Sequence, residues 1–514
     1  MQTFERTKNS IKNFTLTIAL NFISLLAAFV YRTYLIKLLG VEYLGLSSLF
    51  SSILNILNLA NLGIGSAIVY ELYKPISEND ERAIKAHMNF YSIVYPVIGI
   101  IIIVIGLIVM PFLPYLAKDR EVLASIPNVP IIYMFFILNS ATTYFFSYKS
   151  AFISVNQKQY IVETIKSGLN IFSLIGQIVA LYYTHNYILS LIIQLCFVLI
   201  TNFCFWFVAN KKYPVIRKVR GFLLNDAEKK ELVKNVKALF AFQLSGVLGK
   251  GIESVIISTF VSIIISGYLS NYNLIIMSIS TMLTAATSSI IPIVGNLHVS
   301  DSNEKQHNIY LAMFCLIAWT FGLISIIMFA LLNPFIMLWV GEKYVFDNSI
   351  VFLLVFNFYL VGTQSVNRIF RNAKKLFLYG RYRPLFTALL NVIFAIALAN
   401  FLGVFGVLLG GTISMLATFF WYDPYIVNKI GFNKGLSLYF IKYAIYFAVT
   451  FVFGVLCYFV VKQFTLSIVG WLIAFIIIFV AFNLYFMAFF HRTKEFKYLK
   501  DAIINNLGFL KKLK

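Results

Sequence analysis

Charge is scarce in this 514-residue chain and negative charge scarcest: Asp and Glu number 20 against 42 Lys and Arg, and charged residues make up 12% of the whole. A soluble domain carries about 25%, so with 60% hydrophobic residues an ordinary water-soluble fold is excluded. Cysteine is also rare: Cys196, Cys204, Cys315 and Cys457 lie within apolar runs at spacings with no metal-ligand pattern, and read as small apolar fillers. No G-x-x-x-x-G-K-[ST] phosphate loop occurs, so the chain shows no ATPase of its own. His87, His298, His307 and His491 fall toward loops or run ends and His185 in a tiny turn. With no His, Asp or Arg cluster and no large loop on the outer side, a membrane polymerase or acyltransferase is disfavoured.

What the chain has instead is about fourteen apolar runs of some 20 residues, each long enough to cross a hydrocarbon core. They lie near 14–36, 44–70, 88–110, 129–149, 160–183, 186–209, 236–263, 270–297, 308–333, 350–370, 384–402, 404–427, 438–461 and 467–490. The expected fold is an all-α polytopic membrane bundle. The N-terminus carries Arg6, Lys8 and Lys12 but no small-residue cleavage site after its first run, so that run reads as a retained helix.

Lys and Arg resist translocation and set orientation. Residues 211–237 hold nine of them and 368–383 hold six, and the tail from Arg492 is again basic. The connections near 184–186, 264–269 and 403 hold none. This alternation expects both termini in the cytoplasm of a bacterial inner membrane. The net charge of +22 is then topology plus attraction to anionic membrane lipids, worth roughly 1 kcal/mol per base; nucleic-acid binding is not read from it.

A displacement of roughly 225 residues lays Tyr43-Leu44 on Tyr268-Leu269, each just after a short turn and opening a Ser/Asn/Thr-rich helix. A similar displacement lays Lys149 near Arg371. The expected organisation is an N-lobe of six helices with its basic loop (1–225), a six-helix C-lobe related to it by pseudo-two-fold symmetry (226–430), and a helix pair with a basic tail (431–514). Parallel halves of this kind suit alternating access around a central site.

The stretch Arg32-Thr-Tyr-Leu-Ile-Lys-Leu-Leu-Gly40-Val-Glu-Tyr43-Leu-Gly45-Leu, running on to Asn61-Leu-Gly63-Ile-Gly65 and Leu72-Tyr-Lys74-Pro75, resembles the Wzx-like polysaccharide repeat-unit flippases. These belong to the multidrug/oligosaccharidyl-lipid/polysaccharide exporter superfamily. Gly295-Asn296, the basic run from Arg368 to Lys375 and Trp421-Tyr-Asp423-Pro424-Tyr extend the resemblance in outline over the whole chain. It implies a two-lobed bundle carrying undecaprenyl-diphosphate-linked oligosaccharide from the inner to the outer leaflet for surface polysaccharide synthesis. It also implies a polysaccharide polymerase and glycosyltransferases as protein partners.

Such a lipid needs cations for its diphosphate, polar side chains for sugar hydroxyls and an apolar surface for its tail. Lys250 and Glu253 are the sharpest candidates, because charges near mid-membrane cost about 2.5–3.5 kcal/mol each and must face protein or water. Their i, i+3 spacing allows a self-neutralised pair or a cavity cation beside Glu253 as the site of a coupling proton or sodium ion; no other cofactor is expected. Arg32, near the outer end of the first run, either snorkels or, as the resemblance implies for basic residues of the first helix, faces the cavity. Arg368 and Arg371 share a face near the inner mouth and Lys149 holds the corresponding place in the first half; a guanidinium fork suits phosphate, and anchoring of topology is the plainer alternative. Asn55, Asn58 and Asn61 fall along one face of the second run and Thr281, Thr284 and Ser288 along one of the eighth, for sugar contact or for helix packing.

With the cytoplasm negative, outward movement of roughly two uncompensated negative charges is favoured by about 4–5 kcal/mol at 100 mV, so export needs no ATP in principle. The alternatives are a flippase for a peptidoglycan-precursor or teichoic-acid lipid intermediate, and a cation-coupled drug antiporter of the same superfamily. The antiporter is expected to favour acidic over basic cavity residues.

Overall fold

A computed structural model describes residues 2–58, 64–226, 228–230, 232, 252–288, 302–374, 376, 379–380, 382–461 and 467–501, with no strand among them. Eleven helical stretches among these residues are long and apolar enough to cross a membrane, as a multi-pass membrane protein requires: in hydrocarbon a backbone must satisfy its own hydrogen bonds, and a helix does so within one segment. The stretch Arg383–Gly431 has 49 residues, far more than one crossing needs. It is broken at Gly403, whose φ of 57° and ψ of −137° lie outside the helical region and are open to glycine alone. The runs 384–402 and 404–427 are therefore two helices joined by a turn of about one residue. Val41–Leu57, at 17 residues, is shorter than the other apolar helices, and only the 252–263 end of the seventh run falls within the described residues.

Polar residues punctuate the bundle where the chain turns. Asp80 accepts from the Ala83 amide at 2.9 Å to start Glu81–Val109. Asn186 accepts from the Ile188 and Leu189 amides to start Tyr187–Lys212, while His185 takes the left-handed conformation that ends Gln159–Thr184. Such caps replace intrahelical partners that the first turn lacks.

The chain forms two compact units, Met1–Ser270 and Asn271–Lys514. The first therefore takes in the 252–260 helix and the opening of Ile263–Ser288. Its core is aromatic and aliphatic: Phe50 lies 4.8 Å from Tyr133, both fully buried. On Glu81–Val109, Tyr91, Tyr95, Ile98 and Ile102 face inward, while Ile93, Val97, Ile100, Val104 and Ile108 form an exposed stripe on the other side. An exposed aliphatic stripe along a 29-residue helix is a lipid-facing surface.

Within this unit Val41–Leu57 and the start of Ile263–Ser288 meet backbone to backbone. A Cβ on Gly45 would stand 2.1 Å from the Ile263 carbonyl oxygen, and one on Gly267 would stand 2.8 Å from that of Val41. The two turns that the sequence displacement relates are thus in direct contact. Close approach through small residues is how helices associate in lipid, where apolar burial drives nothing.

In the second unit Asn303–Trp339 is central, with Asn348–Thr363, Ser437–Val461 and Ile468–Phe490 packed against it. The last helix pair is therefore integral to this unit. Tyr310, Phe314, Tyr439, Phe482 and Phe486 are its largest fully buried side chains on those helices. Of the four cysteines only Cys315 is buried; Cys196 is exposed, so it fills no core gap.

Candidate functional site

In the first unit Arg32, on Gln2–Leu39, is half-buried and its Nη1 donates to the Ser270 carbonyl at 2.6 Å. This joins the first helix to Ile263–Ser288, seven residues after Ile263, where Gly45 makes its contact. Ser48 on Val41–Leu57 donates to Ser254 at 3.3 Å, which brings the neighbouring Glu253 close to the polar second helix. Glu253 is half-buried, and among the described residues none hydrogen-bonds or ion-pairs with its carboxyl. Asn58 accepts from Ser140 at 3.2 Å, tying its helix to Val129–Thr142, whereas Asn55 on the same helix is exposed. Lys250 and Asn61 lie outside the described residues.

Lys149 is 3% exposed. Its ammonium donates to Asn210 Oδ1 at 2.8 Å and to the Ile216 carbonyl at 2.7 Å. It thereby fastens Ser147–Val155 to the end of Tyr187–Lys212 and the short turn beyond. A buried charge needs such partners, and here they are neutral.

In the second unit Thr281 and Thr284 are exposed on Ile263–Ser288. Farther along, Ser365–Ala373 carries Arg368 exposed and Arg371 buried. Arg371 Nη1 donates to Asp423 Oδ1 at 3.0 Å, and Arg383 Nη1 donates to Asp423 Oδ2 at 2.9 Å. Three helical segments converge on this one carboxylate, which is 5% exposed. Its segment is irregular on both sides: Thr418 leaves the helical region at φ −121°, ψ −89° before Phe419–Tyr425, and a π-helix, Ile426–Gly431, follows.

Just beyond the span, Lys374 donates to the Gly431 carbonyl at 2.9 Å and to Asn303 Oδ1 at 3.1 Å, with its Nζ 4.0 Å above the Phe432 ring. Burial disfavours the ammonium and lowers its pKa to about 8. A pKa lower in the folded than in the unfolded chain means that the folded state releases this proton first, so Lys374 adds stability as pH rises from about 8 toward the ordinary lysine value, about 10.4. Lys374 is accordingly expected to acetylate with a half-maximal rate near pH 8, against about 10.4 for an exposed lysine. Peptide mass spectrometry across a pH series reads this directly, and a profile matching the exposed lysines would refute the desolvated environment.

No family model and no curated protein matches this chain in sequence. Solved structures match in shape. The inward-facing conformation of a multidrug resistance MATE family transporter of the MOP superfamily superposes with a TM-score of 0.62 at 15% identity, over 79% of this chain and 94% of that one. The lipid II flippase MurJ, in an inward closed conformation, superposes with a TM-score of 0.62 at 15% identity, over 93% of this chain and 100% of that one. A MATE structure in complex with MaD3S gives 0.55 at 12% identity, over 81% and 95%. The chain shares the MATE and MurJ fold.

Each unit ties a buried cation to a later helix. Lys149, near the end of one helix, is bound to Asn210, near the end of another; Arg371, 222 positions later and also near a helix end, is bound to Asp423. The first unit joins a cation to neutral acceptors, the second joins two cations to a carboxylate. Composition counting places Arg383 only among six bases of a loop, and Asp423 only within a resemblance, so the cluster as such is missed. One signal does mark it: Asp423 is the sole acidic residue between Asp347 and Glu495, and a lone carboxylate at the basic end of an apolar run demands a partner.

Proposed function

We propose that the protein is a flippase that carries undecaprenyl-diphosphate-linked oligosaccharide repeat units from the cytoplasmic to the outer leaflet by alternating access. The observation that carries the reading is coverage: the likeness to a lipid II flippase runs over 93% of this chain and the whole of that one, against 79% for the multidrug transporter. The Wzx-like stretch from Arg32 to Pro75 narrows the cargo to polysaccharide units, and the excess of bases over acids suits a diphosphate better than an organic cation.

In this reading the basic ends face the cytoplasm of a bacterial inner membrane. Arg32, Lys250, Arg368, Arg371 and Lys149 are the candidate cations, Asn55, Asn58 and Thr284 the candidate sugar contacts, and Glu253 the candidate for a coupling proton or sodium ion. The exposure of Asn55, Thr284 and Arg368 favours contact with cargo, and the full set of neutral partners on Lys149 favours a helix tie. Polymerase and glycosyltransferase partners follow from the same reading.

A peptidoglycan-precursor or teichoic-acid intermediate is the second reading, favoured by the cargo in the name of the MurJ structure. The deciding measurement is the leaflet distribution of each lipid-linked intermediate in cells with and without the protein. Deletion is expected to hold the undecaprenyl-diphosphate oligosaccharide in the inner leaflet and leave lipid II unaffected. An unchanged distribution of the oligosaccharide discards the reading.

A further inference from the structure

The cluster at Asp423 is an unequal match. Three guanidinium groups, Arg368, Arg371 and Arg383, lie within electrostatic reach of one carboxylate, so two positive charges are left over. The geometry is unequal too. An arginine fork engages an oxyanion best through two parallel N–H groups, yet Arg371 and Arg383 each spend one Nη on Asp423. The Nε of each is buried with no hydrogen-bond partner among the described residues, a state that an N–H group occupies only at a cost. Each guanidinium therefore keeps N–H groups that Asp423 does not take up. A phosphate has more oxygens, a tetrahedral spread, and the charge to match.

Asp423 is also placed where it can yield. The break at Thr418 and the π-helix Ile426–Gly431 bracket its segment, so a shift there costs less than bending a regular helix, and π-helical turns recur at functional positions. Arg368, one turn before Arg371, is exposed and makes no side-chain hydrogen bond among the described residues.

We propose that Arg371 and Arg383, with Arg368 beside them, form a phosphate site that Asp423 fills in this conformation, and that a phosphate group of a membrane-borne ligand takes the place of the carboxylate. Asp423 acts as a built-in competitor, holding the arginines apart and ordered until the ligand arrives. The ligand chemistry is a lipid-borne phosphate, supplied either by the diphosphate of the cargo, in which case the inference rests on the flippase reading, or by the phosphodiester of an anionic phospholipid head group.

The test is binding to the purified full-length protein, with inorganic pyrophosphate as probe in detergent and with nanodiscs of phosphatidylglycerol or phosphatidylcholine in parallel. Asp423→Asn removes the competitor and is expected to tighten pyrophosphate binding, or raise the phosphatidylglycerol retained, by about tenfold, and Arg371→Gln added to it is expected to abolish the gain. A response to pyrophosphate assigns the site to a diphosphate; a response confined to phosphatidylglycerol assigns it to the head group of a bulk lipid. Unchanged or weaker binding of both probes overturns the proposal and leaves Asp423 a helix tie. Should Asp423→Asn fail to accumulate, Arg371→Lys in the otherwise native chain keeps the charge and loses the fork. It is expected to weaken binding about tenfold, and equal binding overturns the proposal. Neither measurement involves flipping, so a phosphate site established here survives a negative leaflet assay, and the reverse also holds.

Discussion

Asp423→Ala is expected to lower the thermal midpoint of the detergent-solubilised protein by more than any other single substitution of a charged residue among the described ones. The side chain is buried, and its two oxygens hold Arg371 and Arg383 at 3.0 and 2.9 Å. Removing one partner of a buried ion pair strands the other charge in a medium that solvates it poorly, at a cost of about 3–5 kcal/mol, and here two guanidinium groups are stranded at once. The expected rescue separates charge from packing. Replacing all three residues together by apolar ones of similar volume, Asp423→Leu with Arg371→Met and Arg383→Met, removes the charges and the desolvation cost together, and is expected to return the midpoint close to that of the native protein. Differential scanning fluorimetry on both variants is sufficient. A midpoint unmoved by Asp423→Ala would mean that water reaches the arginines and that the cluster is open to solvent. Added pyrophosphate is expected to recover part of the loss in the single variant and none in the triple one, because a ligand that binds only the folded state stabilises it.

Gly45→Leu is expected to be the most damaging change in the first unit. Even the first carbon of the new side chain meets the Ile263 carbonyl oxygen at 2.1 Å, and the facing Gly267 leaves no alternative space, with the Val41 oxygen at 2.8 Å and the Gly45 nitrogen at 3.0 Å from its own Cβ position. A flexible side chain in the way is able to rotate, but a backbone carbonyl is held by its helix, so the two helices must separate. Overpacking typically costs about 1–3 kcal/mol when side chains absorb it, and more is expected here. The lost contact also frees the helix ends near which Arg32 holds Ser270. The expected result is a lowered midpoint and, on the flippase reading, loss of outward transfer in the leaflet assay. Gly168→Leu serves as the control, since nothing lies within 4 Å of a Cβ at that position. Equal behaviour of the two variants would contradict the backbone contact.

How much of this was legible beforehand differs by residue. The break at Gly403 was readable because a gap without Lys or Arg separates two apolar runs, each of which needs about 20 residues to cross. The relation of Tyr43 to Tyr268 was readable as a repeat, but that the two turns touch through Gly45 and Gly267 was not, because contact depends on how helices pack. Arg371 was read with Arg368 on one helix face near the inner mouth, as a phosphate ligand or a topology anchor. The helix indeed carries both, yet it turns one outward and buries the other against Asp423, 52 positions away. Lys149 was matched to Arg371 by spacing alone, and its burial on Asn210 and the Ile216 carbonyl was hidden for the same reason.

The sequence by itself determined that the chain is a helical, multi-pass membrane protein, along with its approximate spans and basic connections, since run length, glycine punctuation and charge distribution are local properties that lipid reads segment by segment. Only the tertiary structure decided which charges are bound and which are open. In a medium without water every buried cation must find an acceptor, and which acceptor it finds depends on which helix ends the fold brings together.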